Sequence, residues 1–315
     1  MTKIRLALIA GGTSDEREVS LRGAAGVELA LDPDKYEVVR YDPATDLARI
    51  ANDAAGIDAA FLLLHGVHGE DGTIQGFLDL LGIPYQGSGV LGSALAMDKH
   101  LAKTMYRLHG LPVAPWIMVE PRDLQDTGRI LAEVGLPCVV KPVRQGSSIG
   151  MSIVRESARL PEALRLALRH DSGVMVEQYI KGRELTVGVL GNTSPEPLPL
   201  VEIIPNAQFE FFDYEAKYQP GASREICPAE VSEAVRRTAQ EYAVRAHHCL
   251  QLRGYSRTDM ILAGDALYLL ETNTIPGMTP TSLLPQAAAA AGYSFSNLLD
   301  RLIELAREKP DGTQR

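Results

Sequence analysis

The chain has 315 residues, enough for two or three packed units, and its 45% hydrophobic and 23% charged content is ordinary for a soluble globular protein. A formal net charge of −9 argues against nucleic acid or an anionic membrane as the main partner; phosphates would need local Lys, Arg or metal. No stretch of about 18 apolar residues is present, so no membrane span is expected. The N-terminal apolar run is too short for a signal peptide. Cys138, Cys227 and Cys249 show no C-x-x-C spacing, and the expectation is reduced structural thiols in a cytoplasmic protein.

Ile4 to Ala10 is a short apolar strand running into Gly11-Gly12-Thr13-Ser14, with a helix expected from Glu16. Tyr36 to Tyr41 and Ala59 to Leu64 are further strands, the latter ending in the polar loop from His65 to Gly72. Strands alternating with helical stretches imply a parallel sheet covered on both faces, with ligands beyond the carboxyl ends of its strands. That places Glu16 and His65 at a candidate site. Leu91 to His109 has a helical pattern, stopped by Gly110-Leu111-Pro112. A second unit follows: a strand at Cys138 to Pro142, a Gly/Ser loop from Val143 to Gly150, a strand through Val154, a helix from Pro161 to His170 and a strand from Val174 to Ile180. This β-loop-β-α-β stretch implies a small α+β domain. Glu184 to Leu190 opens a third unit, with a Pro-rich connector from Asn192 to Pro199. Phe209 to Arg224 is aromatic and polar without clear period, as expected of a long ordered loop. Ala229 to Leu252 is expected to be helical, and Leu298, Leu299, Leu302, Ile303 and Ala306 mark a closing helix.

Between those helices lie two strands joined at Gly264-Asp265, carrying Arg257-x-Asp259 and Glu271-x-Asn273. Residues i and i+2 of a strand share a face. Counting outward from the turn, Asp259 is five residues away and Glu271 six, so an antiparallel hairpin sets them nearly opposite. Charged residues on a hairpin are often its wet face. Here both strands are otherwise strongly apolar, as expected of buried strands, and buried charges need partners or a metal. Two carboxylates and an amide suit Mg2+, which completes its shell with nucleotide phosphates and water.

Other motifs are weaker. Gly87-Ser-Gly89-Val-Leu-Gly92 matches the dinucleotide fingerprint, but it does not follow the first strand and has no acidic residue about 20 positions on. It is the only support for an NAD-binding oxidoreductase. Arg144-Gln-Gly146-Ser147-Ser148-Ile-Gly150 is either a plain turn or a loop whose backbone N–H groups approach an anion, and Lys141 just before it favours the anion. Val176-Glu177-Gln-Tyr-Ile180 followed by Glu184 is similar to an adenosine slot, in which a strand edge offers backbone groups to adenine. His247-His248 has no acidic partner at metal spacing and is expected to be filler.

In order, the motifs at 11–20, 64–76, 87–99, 140–151, 213–218, 256–259 and 271–279 resemble the D-alanine–D-alanine ligases of the ATP-grasp superfamily, bacterial enzymes of peptidoglycan and cell-wall biosynthesis. The resemblance spans residues 3 to about 306. It implies a three-domain α/β and α+β fold: a Rossmann-like substrate domain (1–97), a central ATP-grasp subdomain (98–182), a catalytic ATP-grasp domain (183–308) and a disordered tail (309–315). It implies ATP and two Mg2+ ions, with Mn2+ able to substitute, D-alanine as substrate, and a homodimer. An acyl phosphate forms first and the second amine then attacks it. Lys99, Lys141 and Lys217, with Ser147 and Ser148, would face the ATP phosphates. Glu177 and the Ile180 backbone would hold adenine, and Glu184 the ribose. Asp259, Glu271 and Asn273 would bind metal. Glu16 would hold the first ammonium, with His65 nearby, and Arg257 and Gly277 would stabilise the oxyanion. Ser282 and Leu283 would receive the second carboxylate, and Tyr218, Ser147 and Glu16 would form a hydrogen-bonded chain closing the 209–224 loop. Tyr218 favours the dipeptide over an ester with D-lactate; D-serine is the other acceptor to test. A non-catalytic ATP-binding protein on this fold is the reading from a different class.

Overall fold

The computed structural model describes residues 2–206 and 223–308. The expected lid residues Lys217 and Tyr218, most of the 209–224 stretch, and the 309–315 tail lie outside the described residues.

Three sheets organise the chain. The first contains β1 (Ile4–Ile9), β2 (Tyr36–Tyr41) and β3 (Ala59–Leu62), parallel in the order β2-β1-β3. Helices α1 (Arg17–Ala30), α2 (Leu47–Asp53) and α3 (Thr73–Leu81) connect and follow its strands. The stretch expected as one helix over 91–109 is two, α4 (Val90–Met97) and α5 (Lys99–Leu108). Asp98 is the reason: its backbone is extended and its carboxylate accepts from Leu101 N at 3.0 Å, capping α5.

The second sheet is antiparallel, in the order β4-β7-β5-β6, from β4 (Trp116–Val119), β5 (Cys138–Pro142), β6 (Ser152–Val154) and β7 (Val174–Gln178). Helices α6 (Thr127–Val134) and α7 (Leu160–Ala167) cover one face, where Cys138, Val140, Val154, Val174 and Val176 enter the core.

The third sheet, six-stranded among the described residues, contains β8 (Arg183–Leu190), β9 (Glu196–Pro197), β10 (Val201–Pro205), β11 (Ser223–Ile226), β12 (Tyr255–Ala263) and β13 (Ala266–Asn273). Ser223 and Arg224, expected in the aromatic loop, belong to β11 and pair with β10. The long helix α8 (Glu233–Cys249) starts later than expected, at Ser232, whose hydroxyl accepts from Val235 N at 3.3 Å. The last helices, α9 (Leu283–Ala290) and α10 (Phe295–Arg307), return to the first sheet. All five apolar residues expected of the closing helix are buried, four of them in one core with Leu6, Leu8, Phe61 and Leu63. Lys35 and Tyr36 reach Asp300 of α10 at 2.6 and 2.7 Å. The end of the chain thus completes the core begun at its start. No helix among the described residues is long and apolar enough to cross a membrane.

His247 is the filler the sequence implied. It is fully buried on α8, with Nδ1 2.8 Å from Ser256 Oγ. Burial, with His248 adjacent, lowers its pKa from 6.5 to about 3. The unfolded chain therefore binds a proton below pH 6.5 that the fold refuses, and stability falls as pH drops from 6.5 toward 3, by up to about 1.4 kcal/mol per pH unit. Thermal unfolding between pH 4.5 and 7 should show a shallower acid loss for His247→Gln than for the parent; equal slopes would remove His247 as a source.

Two glycines of the Gly87 fingerprint, Gly87 and Gly92, have a packing explanation. A Cβ on Gly92 would come 2.9 Å from Gln251 O, and one on Gly254 would come 2.9 Å from Gly87 N. The spacing lets two loops touch.

Candidate functional site

The second and third sheets enclose a cleft lined among others by Lys99, Lys141, Ser148, Glu177, Ile180, Glu184, Asp259 and Glu271. Strand alternation decides which side chains face it. On β5, Cys138 and Val140 enter the core, so Val139 and Lys141 face the cleft. On β7, Val174 and Val176 go inward and Glu177 outward. On β8, Leu185, Val187 and Val189 are core, which turns Glu184 and Thr186 to the other face. On β12, Met260 and Leu262 are core, while Asp259 and Ile261 line the cleft.

Strand β13 carries an irregularity that the count from the turn only hinted at. Asp259 pairs with Glu271 and Arg257 with Asn273, but Met260 pairs with Leu269. Leu270 is therefore one extra residue, a bulge that takes up the difference between five and six. Leu267 and Leu269 point into the core before it; after it, Thr272 does, and Glu271 turns to the cleft. In strict alternation with Leu269, Glu271 would face the core.

Asp259 is the hub. It accepts from Arg257 Nε at 2.9 Å and Nη2 at 2.7 Å, from Thr186 Oγ1 at 2.5 Å and from Asn273 Nδ2 at 3.1 Å. Burial works against the charge of Arg257, but Asp259 outweighs it and holds the guanidinium above its ordinary pKa. Across the strand pair, Glu271 Oε2 is 3.6 Å from Lys99 Nζ, which also donates to Gln145 O at 2.6 Å. The donor set is two carboxylates and an amide whose oxygen or nitrogen can be turned to the site. It offers only hard oxygen ligands, and no group of three His, Cys, Asp or Glu able to hold a metal occurs among the described residues. These residues fit Mg2+ shared with an anionic ligand rather than a self-sufficient protein cage.

A second constellation joins the first sheet to the second. Glu16, buried at the N-terminal end of α1, accepts a short hydrogen bond from Ser147 Oγ. Ser147 and Ser148 both have positive φ, at 50° and 58°, a sparsely populated conformation for serine that marks this loop as strained. A Cβ on Gly146 would come 3.0 Å from Glu16 Oε2, so the loop lies close against this carboxylate. His65 is buried in the facing loop, its carbonyl accepting from Ser14 Oγ at 2.7 Å. Burial lowers the His65 pKa against the opposing pull of Glu16. Gly277 and Ser282 are brought together: a Cβ on Gly277 would lie 3.0 Å from Ser282 Oγ, and Ser282 precedes the first turn of α9. Leu283 has its side chain in the core, leaving its backbone N–H at a helix N-terminus, where anions are favoured.

The structure corrects one expectation. Strand β7 is an inner strand, paired with β4 and β5 through Gln178, and Tyr179 N donates to Pro137 O at 3.0 Å. The expected strand edge therefore begins only at Ile180, past the ladder.

Two residues with no role assigned from sequence belong here. Lys103 is fully buried, with Nζ 2.8 Å from Glu177 Oε2, while Lys141 holds Glu177 Oε1 in a short ion pair. The signal was the buried face of α5, where Lys99, Ala102, Lys103 and Tyr106 recur at helical spacing. Glu70 accepts from Gly66 N at 2.8 Å and Ile275 N at 3.3 Å, tying the His65 loop to the segment after β13. Burial, with Glu16 close by, pushes its pKa up to about 8.

In the turn between β7 and β8, a Cβ on Gly182 would come 2.3 Å from Leu262 O. Gly182→Ala must displace backbone where the second sheet leads into the third, at a cost of about 1–3 kcal/mol. The expected result is a several-fold weaker nucleotide affinity and a lower Tm; an unchanged affinity in a calorimetric titration would disprove the coupling.

Residues 105–304 match the family model for the D-ala D-ala ligase C-terminus, and residues 40–88 that for the N-terminus. A D-alanine–D-alanine ligase of Desulfotalea psychrophila is 62% identical over 98% of this chain and 97% of its own. Among solved structures, the D-alanine–D-alanine ligase of Bacillus anthracis complexed with ATP is 34% identical with a TM-score of 0.82, covering 96% of this chain and 97% of that one. The VanG D-Ala:D-Ser ligase of Enterococcus faecalis is 32% identical with a TM-score of 0.84, covering 97% and 100%. With both family models matched in order and that identity over nearly its whole length, the chain belongs to the D-alanine–D-alanine ligase family.

Proposed function

We propose that this protein joins two D-alanine molecules into D-alanyl-D-alanine at the expense of ATP, through an acyl phosphate, in a cytoplasmic step of peptidoglycan synthesis. The observation that carries the reading is the hairpin: Arg257, Asp259, Glu271 and Asn273 stand together, and Asp259 and Glu271 line the cleft with Lys99 and Lys141. The units 1–97, 98–182 and 183–308 supply the substrate face, the nucleotide roof and the catalytic floor.

In this reading the carboxylate of the first D-alanine attacks the γ-phosphate, ADP leaves with the bridging oxygen, and the later attack of the second amine expels phosphate. Lys99 and Lys141 offset the repulsion between the two anions, a charge-stabilising task typical of phosphoryl transfer. Asp259, Glu271 and Asn273 would hold Mg2+, two ions in the fullest form with Mn2+ as substitute, which when bound would neutralise phosphate charge. Glu16 takes the ammonium of the first substrate, and its hydrogen bond with Ser147 fixes the carboxylate in place. Ser148 offers its backbone to phosphate, Glu177 and Ile180 bind the base, and Glu184 binds the ribose. His65 borders the first substrate. The second amine then attacks the acyl carbon, and Arg257 with the Gly277 backbone N–H receives the oxyanion. Ser282 and the Leu283 N–H hold the second carboxylate. Lys217 and Tyr218 complete the phosphate set and the closing chain.

Phosphate release from Mg-ATP should depend on D-alanine and not on L-alanine, with the dipeptide identified by mass. Release only with D-serine or D-lactate present as acceptor would keep the chemistry and reject the product. Tight ATP binding with no release under any acceptor would favour the non-catalytic reading. A homodimer is the proposed assembly, and sedimentation velocity tests it.

A further inference from the structure

Three charges meet at the wall of the cleft, and one of them lies behind it. Lys103 has no exposed surface; its Nζ lies 2.8 Å from Glu177 Oε2 and donates to Leu269 O of β13 at 3.2 Å. The other oxygen of Glu177 belongs to Lys141, whose side chain, like that of Glu177, faces the cleft. A fully buried lysine is costly unless its charge is paired, so its presence here calls for a specific use.

We propose that Lys103 is a positioning residue for nucleotide choice: it fixes the Glu177 carboxylate as an acceptor facing the cleft, so that a purine with an amino group at C6 is taken and one with a carbonyl at C6 is refused. The inference rests on the nucleotide reading of the cleft given above. An ionised carboxylate only accepts hydrogen bonds. It is complementary to a 6-amino group and repels a 6-oxo oxygen, and leaving such a group unpaired in a buried site is the strongest form of discrimination. Each Glu177 oxygen is paired with one lysine, and since Oε2 is buried against Lys103, Oε1 is the acceptor left to serve the base. Lys141 alone would draw the carboxylate toward the phosphate end; Lys103 holds the second oxygen from the opposite element, and its bond to Leu269 refers that position to the strand bearing Glu271. Burial works against the charge on Glu177, but Lys103 and Lys141 outweigh it and hold its pKa at about 2, so it is an acceptor throughout the working pH range.

The test compares the parent, Lys103→Met, Glu177→Gln and the double variant. Dissociation constants for ATP and for ITP, which has a carbonyl at C6, are measured by calorimetry with Mg2+, followed by D-alanine-dependent phosphate release with each nucleotide. The parent should prefer ATP. Lys103→Met should narrow the ATP-to-ITP preference roughly 10-fold, mainly through the affinity and KM for ATP rather than kcat. The double variant should have the same preference as Glu177→Gln, because Lys103 acts through Glu177. If Lys103→Met weakens both nucleotides equally, Lys103 is merely structural and the proposal falls. It also falls if the two substitutions add. Should Lys103→Met not fold, the double variant, in which the carboxylate is gone as well, decides by the same comparison with Glu177→Gln. Binding is read without alanine, so a protein with this nucleotide preference but no ligation would overturn the proposed function and leave this inference standing.

Discussion

Replacing Arg257 with lysine is expected to lower kcat about 10²–10³-fold while the protein stays folded. The guanidinium spends two donors on the two oxygens of Asp259 and retains others to meet a developing oxyanion. A lysine keeps the charge, so Asp259 is not left as an unpaired buried anion. It cannot reproduce the planar fork that fixes the charge relative to both groups. The loss should therefore fall on kcat, with KM for ATP changed little, since transition-state contacts and ground-state binding separate in that way. Phosphate-release kinetics at saturating D-alanine, with Tm as the folding control, measure it. A fall smaller than tenfold would take Arg257 out of the chemistry and leave it only as the counter-ion of Asp259.

Glu271→Gln should be at least as severe, about 10³-fold in kcat at ordinary Mg2+ concentrations, with partial recovery as Mg2+ is raised. Glu271 stands opposite Asp259 across the strand pair, and removing its charge leaves one carboxylate where, in the proposed function, two would share a cation. It also leaves Lys99 facing a neutral amide at 3.6 Å. The side chain is partly exposed and not part of the core, so little change in Tm is expected. The concentration of Mg2+ giving half-maximal rate should rise about 10-fold or more. An unchanged Mg2+ dependence would falsify the assignment of Glu271 as a metal ligand, whatever happened to the rate.

Much of this site was legible because it depends on local rules. Strand alternation puts Arg257 with Asp259 and Glu271 with Asn273, each pair on one face of its strand, and the near-opposite placing of Asp259 and Glu271 followed from counting. The Leu270 bulge was not legible: counting left one residue over, and only the neighbouring strand and the core under Leu269 decide where it goes. The residues alone pointed to Glu16 and Ser147 separately, and only the resemblance joined them in one chain, because their hydrogen bond spans 131 residues of sequence and needs two sheets docked together. Lys103 was passed over because a lysine on a helix is ordinarily solvated, and its partner Glu177 is on another sheet.

By itself the sequence determined the chemistry available and the periodic elements: a parallel opening sheet, a loop of small residues after Lys141, a hairpin with two carboxylates, and a closing helix with an apolar stripe. Propensity, alternation and turn chemistry act over a few residues, so they are written in neighbouring letters. The tertiary structure decided what those elements touch. It made β7 an inner strand, returned α9 and α10 to the first core, and placed Lys103 behind Glu177. Burial and long-range pairing set those outcomes, because the free energy of a buried charge depends on groups far away in the chain that the fold brings within 3 Å.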